Sequence, residues 1–149
     1  MEYFAYSQTA FVYKYVVMLS DTDQFQHMSF ANYLKLMFLA SDALLVSCLD
    51  QNFLSKIRLR EIDSRMQFKK QTSAGDNILI KVNSSEIAGS HFSALYTFLI
   101  EGSAELVALG RQTFSLLDIS TQKPAEMPEK MKVLLTPISV DERHLLYKY

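Results

Sequence analysis

Residues Asp21–Tyr33 read DTDQFQHMSFANY, and this polar segment joins a strand-like run to a long apolar one. Before it, Phe11–Leu19 is rich in aromatic and β-branched residues, which suits a half-buried strand. After it, Leu, Met and Ala dominate Phe30–Leu49, and Ser29 stands where a helix N-cap is expected. The segment therefore places two aspartates at the entrance of a predicted helix.

The predicted helix is apolar almost all round. Its polar residues form only a narrow stripe through Lys35 and Asp42. A helix with this pattern is normally enclosed by other structure rather than lying on a surface. Because scattered polar residues interrupt the apolar run, we predict a buried helix and no membrane span.

The pattern after the helix changes to alternation with a period of two, which is typical of strands. Turn-forming Gly, Ser and Asp residues separate the strand-like runs. One strand, one long helix and a meander of strands predict an α+β fold, with an antiparallel sheet around the helix. The four runs are Ile57–Lys70, Asn77–Ala88, His91–Ile100 and Glu105–Leu117.

The chain of 149 residues is long enough for one domain with a sizeable core. We predict a single domain over residues 1–149, with the core at about 10–120 and an irregular tail at 121–149. Prolines limit regular structure in the tail, so we expect only a short helix there, at Glu129–Leu135. Gly110, on the last predicted strand, is expected to allow close approach of the long helix.

Charge and cysteine content exclude several protein classes. The chain has 15 basic and 16 acidic side chains, a balance that argues against a nucleic-acid binder. Cys48 is the one cysteine, so no intrachain disulfide can form, and a lone thiol suits a reducing compartment. The N-terminal sequence MEYFAYSQTAF lacks the basic region of a secretory signal. We therefore expect a cytoplasmic protein without nucleic-acid or membrane partners.

The aspartates at the helix entrance are candidates for acyl-transfer chemistry. A helix N-terminus offers unpaired backbone N–H groups and a partial positive charge, which favour an oxyanion. A carboxylate beside such a site can act as a nucleophile or as a base for water. The same Asp-Thr-Asp pattern is also typical of an ordinary turn or helix cap. The residues alone leave both interpretations open.

The segment Val16–Leu45 resembles the signature of the 4-hydroxybenzoyl-CoA thioesterase-type hotdog family. That signature has an Asp-x-Asp pair after a strand, then a short connection and a helix that opens with Asn-x-x-Tyr or Ala-x-Tyr. The resemblance covers about residues 10 to 130. The matching positions here are Asp21, Asp23, His27–Phe30, Ala31–Tyr33, the Ala74–Asp76 turn and the Leu109–Thr113 strand.

The resemblance implies a hotdog fold, in which a five-stranded antiparallel sheet wraps one long central helix. It implies a homodimer or homotetramer with sites between subunits, and hydrolysis of an acyl-CoA or acyl-carrier-protein thioester without metal or cofactor. Leu109–Thr113 also resembles the enediyne polyketide-releasing thioesterases, although these usually have Asn at the position of Asp23. The alternatives are therefore a polyketide-releasing enzyme acting on a carrier protein, and a non-catalytic hotdog module that binds an acyl chain.

The resemblance assigns roles to individual residues. Asp23 corresponds to the catalytic aspartate, Asp21 to a supporting group, and Phe30 to the residue whose backbone N–H points at the thioester carbonyl. Two positions depart from the family pattern. Gln26 replaces the usual glycine, and Phe38 stands where many members carry a glutamate, so a helical carboxylate mechanism is not expected.

Other residues are candidates for supporting roles. His27 is a candidate base or substrate hydrogen-bond partner, or an ordinary loop histidine. With Asp21 and Asp23 it has the ligand types for a metal, but no second cluster accompanies it and we predict no metal site. Tyr33 is a candidate for lining an acyl channel. The candidate cations for the phosphates of coenzyme A, or solvated strand positions, are Arg65, Lys69, Lys70 and Arg111.

Overall fold

All five predicted strands are present in the computed structural model of the protein, which describes residues 10–140. They form one antiparallel sheet in the order β1-β3-β4-β5-β2. Each strand end lies within three residues of its prediction, so the predicted architecture is confirmed. The strands are β1 (Phe11–Val16), β2 (Ile57–Phe68), β3 (Asn77–Ala88), β4 (His91–Ile100) and β5 (Leu106–Asp118).

The helices are α1 (Phe30–Cys48), α2 (Gln51–Leu54) and α3 (Glu129–Leu135). The long helix begins directly after Ser29, as predicted. The tail helix α3 also has its predicted bounds, and it buries Met131 and Leu135 in the core. The single-domain prediction extends to both chain ends, where residues 1–9 and 141–149 lie outside the described part of the chain.

The inward side of α1 packs tightly against the sheet. Met37, Ala40 and Leu44 are each at most 4% exposed. On β5, a Cβ atom added to Gly110 would lie 2.3 Å from the sulfur of Met37, far inside normal contact. The predicted close approach at this glycine is therefore confirmed, and it sets the distance between helix and sheet.

The outward side of α1 departs from the prediction. Lys35 and Asp42 are exposed as expected, but so are Phe38 (36%) and Val46 (55%). The sheet covers only one side of the helix, so the expectation of an enclosed helix is wrong for a single chain. By length and composition α1 could also span a membrane, a test that the core helix of a soluble protein passes equally.

A buried polar network explains the one polar residue in the apolar face of β5. Gln112 is fully buried, and its side-chain oxygen accepts a hydrogen bond from Tyr96 Oη at 2.9 Å. Its amide nitrogen donates to Ser64 Oγ at 3.1 Å, and Ser41 Oγ on α1 is hydrogen-bonded to Tyr96 Oη. Burial raises the pKa of the Tyr96 hydroxyl above its usual range. The network links the helix to β2 without leaving these side-chain groups unpaired.

Candidate active site

The loop between β1 and α1 holds Asp23 in an exposed tight turn. The Asp23 N–H donates to the carbonyl of His27 at 2.8 Å, and the N–H of Gln26 donates to the Asp23 carbonyl at 2.9 Å. The carboxylate oxygen Oδ1 accepts hydrogen bonds from the N–H groups of Phe25 (2.8 Å) and His27 (3.3 Å). These bonds fix the orientation of the carboxylate. Within residues 10–140 its second oxygen has no hydrogen-bond partner.

Gln26 occupies the position where the family has glycine. Its φ of 63° lies in the left-handed region that glycine adopts without strain. A residue with a side chain pays roughly 1–2 kcal/mol there. The turn around Asp23 thus keeps a left-handed residue although the glycine is replaced.

Asp21 lies inside the loop rather than in the site. Its carboxylate is buried and accepts hydrogen bonds from Tyr15 Oη at 2.6 Å and from the Met18 N–H at 2.8 Å. The bond to this carboxylate raises the pKa of Tyr15 to about 12. Within residues 10–140 no group of three or more His, Cys, Asp or Glu side chains is placed to hold a metal ion.

The first turn of α1 has free backbone donors. Ser29 occupies the N-cap position, but its hydroxyl accepts a hydrogen bond from Asn32 Nδ2 (3.1 Å) instead of capping the helix. The N–H groups of Phe30 and Ala31 have no acceptor in the described part of the chain. A helix start with unpaired donors is a favourable place for an anion or a polarised carbonyl oxygen.

An open groove of about 730 Å³ lies beside this helix start. Its wall is aromatic: the ring of Phe68, at the end of β2, lies 5.6 Å from the ring of Phe30 and 5.1 Å from that of Tyr33. Six of the residues predicted as site residues line this one groove, namely Asp23, His27, Phe30, Tyr33, Lys69 and Lys70.

Thr72 ties the two sides of the groove together. It is 1% exposed, and its hydroxyl is hydrogen-bonded to that of Tyr33 at 2.9 Å. Its backbone carbonyl accepts from the Met28 N–H at 2.9 Å, and His27 is bridged to Ser73. Burial raises the pKa of Tyr33, so its hydroxyl stays neutral at physiological pH. The loop carrying Asp23 is therefore held against the β2–β3 connection.

The two lysines of the groove differ in their surroundings. Lys70 Nζ forms an exposed ion pair with Glu105 at 2.7 Å. Lys69 Nζ has no ion-pair partner within residues 10–140. The backbone N–H groups of both lysines donate to the Val107 carbonyl, which fixes where β2 leaves the sheet. The cation of Lys69 is therefore available to a ligand.

Two predicted cations lie outside this groove. Arg65 and Arg111 are paired opposite each other on β2 and β5. Gly110 faces α1, so its neighbour Arg111 points to the other side of the sheet. The guanidinium of Arg111 contacts Glu86 at 2.9 Å and Asp63 at 3.8 Å. The single chain therefore does not bring these arginines to the site.

The sequence interpretation missed several groove residues: Phe25, Met28, Phe68 and Gln71. Phe25 and Met28 lie within the quoted loop, between candidates that were chosen. Phe68 adjoins Lys69, but only the strand register shows that its ring faces the helix start. Together the groove offers a fixed carboxylate, the free N–H of Phe30 and an aromatic wall. These are groups that can position and polarise a carbonyl compound.

A family model described as "Thioesterase-like superfamily" matches residues 17–135 of the chain. No curated protein sequence matches. The family match covers the β1–α1 loop, the whole sheet after β1 and the tail helix. It confirms the resemblance noted for the loop and the helix entrance.

Solved structures of thioesterases have the same fold. The 1,4-dihydroxy-2-naphthoyl-CoA thioesterase of Synechocystis is 23% identical, with a TM-score of 0.77 over 85% of this chain and 96% of that one. The dynemicin thioesterase is 19% identical, with a TM-score of 0.81 over 89% and 99%. A Staphylococcus aureus protein in complex with CoA is 14% identical, with a TM-score of 0.79 over 95% and 94%.

Proposed function

Because the chain belongs to the thioesterase-like superfamily and its chemistry is thioester hydrolysis, we propose that its substrate is an acyl-CoA, hydrolysed in the groove at the start of α1. One observation carries this proposal. Asp23 and Phe30, whose backbone N–H in the first turn of α1 is unpaired, line the same groove. A thioester placed there meets an electrophilic activator and a carboxylate together.

The proposed mechanism uses the helix start as an oxyanion hole. The thioester carbonyl oxygen accepts a hydrogen bond from the Phe30 N–H, and the helix dipole stabilises the negative charge that develops. Asp23 attacks the carbonyl carbon directly or removes a proton from the attacking water. The C–S bond breaks, the thiolate takes a proton, and water supplies the oxygen of the free acid. Removing one oxyanion donor typically costs about 3–4 kcal/mol of barrier.

Coenzyme A is the carrier that the charges of the groove favour. Lys69 has no partner in the described chain, and with Lys70 it places two cations at the groove for phosphate groups. The similar Staphylococcus aureus protein was solved with CoA. The second candidate is an acyl group on a carrier protein, favoured by the likeness to the dynemicin thioesterase. His27 lines the same groove and is proposed as a hydrogen-bond partner of the substrate.

We further propose that the working unit is a homodimer or homotetramer with sites between subunits. The outward side of α1 exposes Phe38 and Val46, and β2 is an edge strand with unpaired backbone groups. A second copy that covers these features would bury apolar surface and complete the walls of the open groove. With its lone cysteine and balanced charge, such an assembly suits the cytoplasm.

Asp23→Asn tests the proposed chemistry. The variant keeps the size of the side chain and removes its charge, and we expect kcat on an accepted acyl-CoA to fall by about 10²–10⁴-fold or more. The readout is thiol release, with folding checked by thermal melting. Asp50→Asn, at an exposed aspartate just beyond the C-terminal end of α1, is the matched control and should turn over like the wild type.

Four further outcomes separate the alternatives. If His27→Ala lowers kcat as much as Asp23→Asn does, the imidazole rather than the carboxylate is the base. Near-wild-type turnover by Asp23→Asn would overturn the mechanism. A wild type that binds acyl-CoA without releasing thiol would identify a non-catalytic module, and release from acyl-carrier protein alone would identify the carrier-protein enzyme.

A further inference from the structure

A second cavity lies at the other end of α1 from the candidate active site. Its volume is about 370 Å³. Like the first groove, it is formed where α1 faces β2. Its principal lining residues are Phe38, Asp42 and Val46 of α1, Leu54 of α2, and Ile57 and Leu59 of β2.

The two cavities lie along the same two elements, α1 and β2. At the first groove the start of α1 meets the end of β2, where Phe30 contacts Phe68. At the second cavity the end of α1 meets the start of β2, where Val46 lies near Ile57. The helix and the edge strand therefore run side by side in opposite directions, and we call the space between them the cleft.

The floor of the cleft is the helix-facing side of β2, and it is incompletely covered. Phe68 and Met66 pair with Ala108 and Gly110 of β5, on the side that faces the helix. Phe68 is 47% exposed and Met66 is partly exposed, whereas Ala108 is fully buried. Helix α1 thus covers β5 and leaves the neighbouring strand open to a ligand.

Of the α1 residues that line the second cavity, Phe38 is the nearest to the active-site end of the helix. Its ring lies 6.5 Å from that of Phe114, which pairs with Glu61 in the middle of β2. Opposite Phe38 the floor of the cleft becomes polar, because β2 carries Ser64 and Glu61 there instead of the apolar side chains found nearer the active site. The part of the cleft next to the active site is therefore apolar and ends at a phenyl ring above polar groups.

We propose that the acyl group of the substrate extends from the active-site groove along this cleft, and that Phe38 limits its length. The inference rests on the proposed hydrolysis of an acyl-CoA. The eight residue steps from Phe30 to Phe38 rise about 12 Å along the helix, which is the length of an extended acyl chain of roughly ten carbons. The substrate class is therefore short- and medium-chain acyl thioesters, and longer chains collide with Phe38.

Phe38→Ala should open the way to the second cavity. We expect kcat/KM for palmitoyl-CoA relative to octanoyl-CoA to rise by at least about tenfold, which is in the range for methylene groups that gain or lose a fitted pocket. Phe38→Trp should lower the same ratio, because the larger ring shortens the cleft. This second variant still tests the inference if Phe38→Ala folds poorly. Val133→Ala, which shortens an exposed side chain of α3, is the control and should leave the ratio unchanged.

The outcomes distinguish this inference from the proposed function. An active wild type with the same chain-length ratio in both Phe38 variants overturns the inference alone. A Phe38→Ala variant that dissociates by light scattering with an unchanged ratio also overturns it, because Phe38 then serves the contact between subunits and does not limit chain length. A wild type that hydrolyses no acyl-CoA overturns both.

Discussion

Both sides of α1 carry large apolar residues, and these residues have opposite environments on the two sides. Met37 and Leu44 on the inward side are 0% and 4% exposed, while Phe38 and Val46 on the outward side are 36% and 55% exposed. An apolar residue in a long helix is therefore not by itself evidence for the core of the same chain. Large exposed apolar surface commonly marks a site for a ligand or a partner. Here the inward side holds the fold, and the outward side faces the cleft and the second cavity.

The largest expected effect is on the free energy of unfolding, and it should differ between substitutions on the two sides of α1. Leu44→Ala removes a buried side chain, and we expect the free energy of unfolding to fall by about 2–5 kcal/mol. Val46→Ala, two residues away, should change it by less than about 0.5 kcal/mol in the isolated chain. Denaturant unfolding at a protein concentration too low for association gives both values. Similar losses in the two variants would mean that the sides are not different in the monomer.

A smaller effect is expected where the inward side meets the sheet. Gly110→Ala places a methyl group against the sulfur of Met37, and we expect a loss of about 1–3 kcal/mol from overpacking. The same change in a Met37→Ala background should lose less than about 0.5 kcal/mol, because the colliding atoms are gone. Equal losses in both backgrounds would point to the strand backbone rather than to the helix contact. Denaturant unfolding of the four proteins completes the cycle.

Substitutions on the outward side of α1 are expected to change the association of subunits rather than the stability of the single chain. Val46→Lys places a charge on this side near the end of α1, where a cation also suits the helix dipole. We expect subunit association to weaken by at least about tenfold, or about 1.4 kcal/mol, since a buried unpaired charge is unfavourable. The readout is light scattering across a dilution series. Val133→Lys on the exposed surface of α3 is the matched control, and equal dissociation of both variants would contradict the prediction.

The smallest effect lies in the loop that leads into α1. Tyr15 donates to the Asp21 carboxylate, and its pKa is raised from 10.0 to about 12 in the folded chain. The stabilisation is therefore complete below about pH 10 and is lost as the pH rises through about 12. Tyr15→Phe lacks this dependence, so the difference in unfolding free energy between the two proteins should shrink between about pH 9 and about pH 11.5. A constant difference would contradict the prediction.

The spacing of apolar residues and the positions of turn-forming residues made the fold predictable from the sequence. The bounds of β3, β4 and α3 agree with their predictions, because turn residues or prolines mark their ends. The end of β1 was predicted three residues too late, because the apolar run continues through Leu19. That residue begins a short 3-10 turn instead, and the turn carries Asp21 into the loop.

The candidate site was predictable where its residues are close in sequence. It was not predictable where the pairing register of the strands decides which residues come together. The loop residues Asp23 and His27 share the groove with Phe30, as their spacing indicated. Arg65 and Arg111 were grouped with them by charge alone. The pairing of β2 with β5 places these arginines opposite each other, on the face of the sheet away from α1. The charge of a residue does not specify which face of the sheet its side chain occupies, whereas the pairing register of its strand does.

The shift of register between Glu61 and Asp63 has a consequence for the behaviour of the protein at high concentration. β2 is a long edge strand, and a straight edge of this kind invites indiscriminate strand addition and aggregation. The bulge bends the strand, and charged side chains at Arg58, Arg60 and Arg65 make a random addition unfavourable. A strand added there would need matching curvature and charge, so the bulge and the arginines disfavour indiscriminate addition at this edge.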